Sequence, residues 1–152
     1  MKEYEINSST LAIVPIDDKV SKVYEEEDEY IVQKSSNSII KENCEYYGSS
    51  YEGRCIGTKS LTGIKTKYPI IIEESRNIIF FPTTSCVKRN SIWISYQNLL
   101  KYTKFNEFST VLYFYNKKKV KIDIKYNLID NQIVRCLKLE TLLSKRKMIM
   151  KD

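Results

Sequence analysis

The stretch Val111-Leu-Tyr-Phe-Tyr115-Asn-Lys-Lys-Lys-Val120-Lys-Ile-Asp-Ile-Lys-Tyr126-Asn127-Leu decides the fold class of this chain. Residues 111–115 are apolar or aromatic, Asn116, Lys117 and Lys118 make a turn, and Val120, Ile122, Ile124 and Tyr126 then alternate with Lys119, Lys121, Asp123 and Lys125. Alternation with period two sends successive side chains to opposite faces of a strand. The second strand of this hairpin therefore has one apolar face and one strongly basic face. Asn127 is expected to cap a helix that holds Leu128, Ile129, Ile133, Val134, Leu137, Leu142 and Leu143 and ends in Lys145, Arg146 and Lys147. A hairpin feeding a helix, with no βαβ rhythm, is the mark of an α+β domain.

The rest of the chain extends that reading. Short strands are predicted over residues 11–14, stopped by Pro15, and over 20–24 and 30–33, which flank an acidic hairpin tip at 25–29. Ser38 is expected to cap a helix carrying Ile39, Ile40, Cys44, Tyr47 and Tyr51, with Tyr46 and Tyr47 in the core. Residues 70–72 and 78–81 read as apolar strands joined by a turn, 92–94 as another strand, and 97–102 as a helical turn. The expectation is a single α+β domain of short antiparallel strands and hairpins with two or three helices.

Composition narrows the chemistry. The chain has 152 residues, enough for one domain with a proper core. It has no His, which excludes Ser-His and Cys-His nucleophile pairs, HExxH zinc sites and imidazole proton relays. Cys44, Cys55, Cys86 and Cys136 form no CxxC pair, so they read as four separate buried or half-buried thiols rather than a metal site. The N-terminus shows no signal-peptide pattern, and the apolar runs at 68–72 and 78–82 are too short to cross a bilayer. A cytoplasmic protein, without membrane contact, is expected.

The net charge of +6 hides a division. Residues 1–36 carry four basic and nine acidic side chains, a net of −5, which leaves 21 basic and 10 acidic side chains, a net of +11, on residues 37–152. A basic body of this kind attracts polyanions. Its cations are spread over the glycine segment (Arg54, Lys59), the loops (Lys65, Lys67, Lys88, Arg89), the hairpin (Lys117, Lys118, Lys119, Lys121, Lys125) and the last helix (Arg135, Lys138). Asn131 and Gln132, one turn before Arg135, carry amides able to donate to base edges.

All four glycines fall between 48 and 63, which signals unusual backbone or close approach in that segment. Ser49-x-x-Glu52 matches a capping box, so a helix is expected to start at Ser49 or Ser50. A phosphate-binding P-loop requires GxxxxGK[ST] after a buried strand. Here Gly48 and Gly53 are followed by Arg54-Cys55, and a helix precedes them. The carboxylates at 17–18, 25–29 and 73–74 sit at turn tips, where solvation keeps them ordinary. The residues describe a binder without catalytic machinery or cofactor.

The run Cys44-x-Tyr-Tyr-Gly48-Ser-Ser-Tyr51-x-Gly53-Arg54-x-x-Gly57-Thr58 resembles the signature of the ComK family, the competence transcription factors of Bacillus and its relatives. Further likeness runs through Lys67-x-Pro69-Ile70, Phe80-Phe81-Pro82-Thr83-x-Ser85, Trp93-Ile94-Ser95 and Tyr126-Asn127-x-x-x-Asn131-Gln132-x-x-Arg135. It covers about residues 3–143 in order, with Lys67-Tyr68-Pro69 standing where a Pro-Pro pair is usual. The resemblance implies a ComK-like DNA-binding domain over residues 1–143, with 144–152 as a short basic tail. It implies an activator of DNA-uptake genes that acts at the nucleoid. Such proteins bind A/T-rich boxes through the minor groove and assemble from dimers into a tetramer. Family members typically continue into a longer tail tied to promoter activation and to capture by the adaptor MecA for ClpCP proteolysis, so DNA binding is the firmer expectation. The residues expected at DNA are Arg54, Lys65, Lys67, Lys88, Arg89, Asn131, Gln132 and Arg135, with Gly48, Gly53 and Gly57 shaping backbone. The alternatives are a shortened paralogue that hetero-oligomerises with a full-length regulator without activating, and a nucleotide-binding enzyme built on the glycine segment.

Overall fold

The runs Ile70-Ile-Ile and Ile78-Ile-Phe-Phe have no polar alternation, the pattern of strands buried on both faces. The computed structural model, which describes residues 1–86 and 89–151, places them at the heart of a three-layer α+β domain. In chain order come β1 (Thr10–Pro15), β2 (Ser21–Glu25), β3 (Glu29–Val32), α1 (Ser36–Tyr46), α2 (Tyr51–Thr62), β4 (Ile70–Glu73), β5 (Ile78–Pro82) and β6 (Trp93–Ser95). These are followed by β7 (Leu99–Asn106), β8 (Ser109–Phe114), β9 (Lys119–Ile122) and α3 (Tyr126–Lys151). The central sheet is antiparallel, in the order β3-β2-β1-β6-β5-β4, and a second antiparallel sheet has the order β7-β8-β9.

Alternate residues of the central sheet serve different layers. Ile13, Val23, Ile70, Ile72, Phe80 and Trp93 pack with Ile39, Ile40 and Cys44 of α1. Leu11, Ile71, Ile79, Phe81 and Ile94 pack the other way, on Leu112, Phe114, Val120 and Ile122 of the second sheet and Ile129, Cys136, Leu139 and Leu143 of α3. Both faces of β5 are thus core, and truncating Phe80 or Phe81 to Ala is expected to cost about 3–5 kcal/mol. Trp93 is fully buried, and its Nε1 donates to Asn37 Oδ1 at 2.9 Å.

The local signals explain where elements begin. Ser35, not Ser38, caps α1: it is extended at φ −67°, ψ 152°, and its Oγ accepts from the Ser38 amide. Ser36 is buried and donates to the Ser91 carbonyl at 2.6 Å, which fixes the helix start one turn earlier than expected. Gly48 leaves α1 at φ +89°, its amide bonding to the Glu45 carbonyl at 3.0 Å and that of Ser49 to the Cys44 carbonyl at 2.9 Å. Ser50 caps α2 by accepting from the Gly53 amide at 2.9 Å, and Gly63 ends it at φ +79°. Tyr47 packs on the core, but Tyr46 is 65% exposed and meets it only edge-on.

Two elements differ from expectation. Residues 97–102 form no helical turn; a tight turn at 96–98 leads into β7. Gln97 Oε1 accepts from the Ile79 amide at 2.9 Å and Asn98 Nδ2 donates to the Ser8 and Thr10 carbonyls, so these side chains anchor the turn to the central sheet. Asn127 is not a cap but lies inside the first turn of α3, whose opening bonds run from Leu128 and Ile129 to the Lys125 carbonyl. The helix continues unbroken through residues 144–151, beyond Leu143, the last core residue.

The acidic 25–29 tip is a hairpin turn that also docks. Lys118 Nζ donates to the Glu25 carbonyl at 2.9 Å, and Asn116 Nδ2 to that of Glu26 at 2.7 Å. Tyr4 donates to the Glu25 carboxylate; burial first, and this bond second, push its phenol ionisation far up. Among the described residues no helix is long and apolar enough to cross a membrane.

Candidate nucleic-acid interface

The loop between α2 and β4, residues 63–69, is held by side chains rather than by sheet pairing. Tyr68 Oη donates to the Lys65 carbonyl at 2.8 Å, Arg135 Nη1 to that of Thr66 at 2.6 Å, and Gln132 Nε2 to that of Lys67 at 3.0 Å. Thr58 Oγ1 of α2 donates to the Pro69 carbonyl at 2.8 Å. Lys67 takes φ +50°, a conformation disfavoured by about 1–2 kcal/mol for a residue with a Cβ, which these bonds hold in place. Side chains thus engage the carbonyls of Lys65, Thr66, Lys67 and Pro69, and the Lys65 and Lys67 side chains are left over.

Lys65 is exposed and Lys67 half-buried. Both line a cleft of about 260 Å³ with Tyr51, Cys55, Ser85 and Cys86. Arg89 is exposed on the loop beyond Cys86, anchored through its carbonyl to Asn37 Nδ2 at 3.1 Å; Lys88 lies outside the described residues. Asn131 is exposed on the first turns of α3. Four ion pairs occur among the described residues, Lys22–Glu29, Lys34–Glu42, Arg76–Glu73 and Lys118–Glu29, and none engages Lys65, Lys67 or Arg89.

Four expected roles change. Gln132 is 2% exposed, and its amide is spent on the carbonyls of Lys67 and Pro82, at 3.0 and 2.7 Å, so it cannot meet a base edge. It positions the loop. Arg135 is half-buried with one guanidinium nitrogen committed to Thr66, which makes it a loop anchor first. Gly57 takes ordinary helical backbone in open space, with nothing within 4 Å of the point a Cβ would occupy, so neither dihedral nor packing requires glycine there. A Cβ on Gly53 would stand 3.0 Å from the capping Ser50 Oγ, and Gly48 alone of the three has a positive φ. Arg54 belongs to the α1–α2 packing: its Nε is buried without a hydrogen-bond partner among the described residues, and its charge opposes the burial that pushes the Cys44 thiol up to about 12.

The thiols fall into two classes. All four are free, as expected: Cys44 and Cys136 are buried, while Cys55 and Cys86 are half-buried and line one cleft with Tyr51. Burial raises Cys55, raises Cys86 to about 11 and raises Cys136 well above the ordinary thiol range. The Gly48–Gly53 segment follows a helix, α1, and so lacks the strand–loop–helix geometry of a P-loop.

A second basic surface widens the basic hairpin face expected from the sequence. The outer face of the β7–β8–β9 sheet sets Lys101 of β7 opposite Tyr113 of β8, and Tyr113 opposite Lys119 of β9. Reading residues 97–102 as a helical turn hid Lys101 from the hairpin lysines. Between 101 and 105 only Tyr102 packs inward, while Lys101, Thr103, Lys104 and Phe105 are exposed, so the stretch carries almost no period-two signal.

Comparison with known proteins bears on this arrangement. The family model described as ComK protein matches residues 1–148. The chain is 36% identical over 146 residues to the competence transcription factor of Bacillus subtilis (strain 168), an alignment covering 93% of this chain and 75% of that protein. No solved structure matches. A family match spanning both sheets, all three helices and the pinned loop, together with this identity, means that the chain belongs to the ComK family.

Proposed function

We propose that this protein is a DNA-binding regulator of competence transcription that grips A/T-rich duplex through the minor groove, as a homo-oligomer and without a cofactor. The observation that carries the reading is the 63–69 loop: four side-chain hydrogen bonds fix its backbone while Lys65 and Lys67 have no acidic partner among the described residues. Preorganised cations lose little freedom on binding. The narrow A/T minor groove has an enhanced negative potential that draws Lys and Arg in. The name of the Bacillus subtilis relative, a competence transcription factor, supports the regulatory role.

Helix α2 supports the minor groove over the major. It follows α1 after four residues, as a recognition helix would, yet its exposed residues include Glu52, Ile56, Lys59 and Ser60. That face offers no Arg, Asn or Gln to read base edges, and Lys59 is the one cation on it able to reach a guanine. Self-association is supported by the outward side of α3, where Val134 and Leu137, one turn apart, are 61% and 54% exposed.

The test is fluorescence anisotropy with duplexes carrying paired A/T-rich boxes and with G/C-substituted controls. Contact with about six phosphates gives a slope of log K against log salt near −5. A preference for the A/T duplex with that slope supports the reading; a flat slope or equal affinity for the G/C duplex overturns it. A reporter assay in the presence of a full-length family member separates an activator from a partner that assembles without activating. Calorimetry with ATP tests the enzyme reading, which requires measurable heat.

A further inference from the structure

The outer face of the β7–β8–β9 sheet gathers cations that pair with no carboxylate among the described residues. Lys101 and Lys119, from the two outer strands, hold their Nζ atoms 4.9 and 5.6 Å from the centroid of the Tyr113 ring between them. Further along, Lys121 Nζ stands 4.4 Å over Phe105. Residues 99–125 contain seven Lys against Glu107 and Asp123 alone, and Asp123 already accepts from Ser109 Oγ at 3.1 Å. None of Lys101, Lys119 and Lys121 takes part in an ion pair among the described residues.

Like charges gathered across a sheet repel one another. The cation–π contact each exposed ammonium makes with an aromatic ring offsets that repulsion only weakly. The ammonium groups lean over the rings of neighbouring strands, so the positive charge is concentrated on this pleated face. The strands holding Lys101 and Lys119 are two sheet spacings apart, roughly 9.5 Å. That matches the scale of duplex groove widths, about 6 to 12 Å.

We propose that this face is a second DNA-contacting surface, with Lys101, Lys119 and Lys121 neutralising phosphates of duplex beyond the segment held by the 63–69 loop. The proposal rests on the DNA-binding reading above. The face supplies affinity and no sequence preference, because ammonium groups over phosphates carry no information about bases.

The test compares wild type with the triple variant Lys101→Gln, Lys119→Gln, Lys121→Gln on A/T-box duplexes with long flanks, by anisotropy across a salt series. Three lost phosphate contacts make the salt slope shallower by about 2.7 and lower affinity on the order of tenfold or more, with the A/T over G/C preference unchanged. Emission from buried Trp93 reports that the variant is folded; if the triple variant is not, Lys119→Gln alone is expected to flatten the slope by about 0.9. A wild type that binds no DNA overturns the functional reading itself. A wild type that binds while the folded variant keeps the same slope overturns this proposal alone. Unchanged DNA binding with new aggregation assigns the lysines to guarding exposed sheet edges, and unchanged binding with altered oligomer size assigns the face to a second copy; either result also overturns it.

Discussion

Gln132 and Lys67 stand 65 residues apart in the chain and are joined by a 3.0 Å hydrogen bond from the Gln132 amide to the Lys67 carbonyl. The same amide nitrogen reaches the Pro82 carbonyl at 2.7 Å, so one buried side chain ties α3 to the end of β5 and to the basic loop. Gln132→Ala leaves both carbonyls without this donor and is expected to cost about 1–3 kcal/mol. Gln132→Glu is expected to cost more, since it aims a carboxylate at two carbonyl oxygens. Urea unfolding followed by Trp93 fluorescence measures both; midpoints equal to wild type would show that the amide does not brace the loop. DNA affinity should fall in the same order, because a loosened loop must be ordered again on binding.

The Gln132 case marks where sequence reading stops. The strands at 70–73 and 78–82 were legible because their short β-branched and aromatic runs are bounded by turn residues and stopped by Pro82. The hairpin into α3 was legible because Val120 and Ile122 alternate with lysines. What could not be read was tertiary assignment. Gln132 and Asn131 are adjacent amides on one helix, and only the rotation of α3 against β5 makes one buried and the other exposed. β7 was missed because its residues after Leu99 are largely exposed, leaving little apolar alternation to detect. The turn before it is set by Gln97 and Asn98, which bond to residues far away in the chain.

The clustered glycines separate into unequal roles. Gly48→Ala forces a Cβ onto a residue at φ +89° and is expected to destabilise by about 1 kcal/mol or more. Gly57→Ala removes a flexible residue from the middle of α2 where nothing lies within 4 Å, and is expected to stabilise by roughly 0.5–1 kcal/mol. Thermal unfolding of the two variants should move in opposite directions. A destabilised Gly57→Ala would show that the bare face of α2 is covered in the assembled protein.

Glu73 adds an acid-sensitive contribution to the fold. Its carboxylate accepts from the Ser75 hydroxyl at 2.5 Å, the Ser75 and Arg76 amides, and Arg76 Nε at 3.0 Å, and these bonds hold it down to about 2. A folded-state value below the unfolded one stabilises the protein fully above about pH 4.3, the ordinary glutamate value, and loses that contribution as pH falls toward 2. Glu73→Gln should therefore flatten the fall in unfolding midpoint between pH 4.3 and 2, relative to wild type. Parallel curves for the two proteins would remove Glu73 as the cause.

The cysteines are expected to resist modification in an order set by burial. Cys44 and Cys136 are sealed in the two halves of the core, so a disulfide reagent should reach them only after unfolding. Cys55 and Cys86 line the cleft beside Lys65 and Lys67, and their thiols are held protonated by burial, that of Cys86 up to about 11. The thiolate is the reacting form, so near pH 8 Cys86 presents about a hundredfold less of it than an ordinary thiol. Titration of the native protein should thus give two slow equivalents that quicken with rising pH, and four only in denaturant. DNA bound at the 63–69 loop should slow those two further while leaving the denatured count unchanged. Two fast equivalents at neutral pH would mean that the cleft is open to solvent and that its thiols are ordinary.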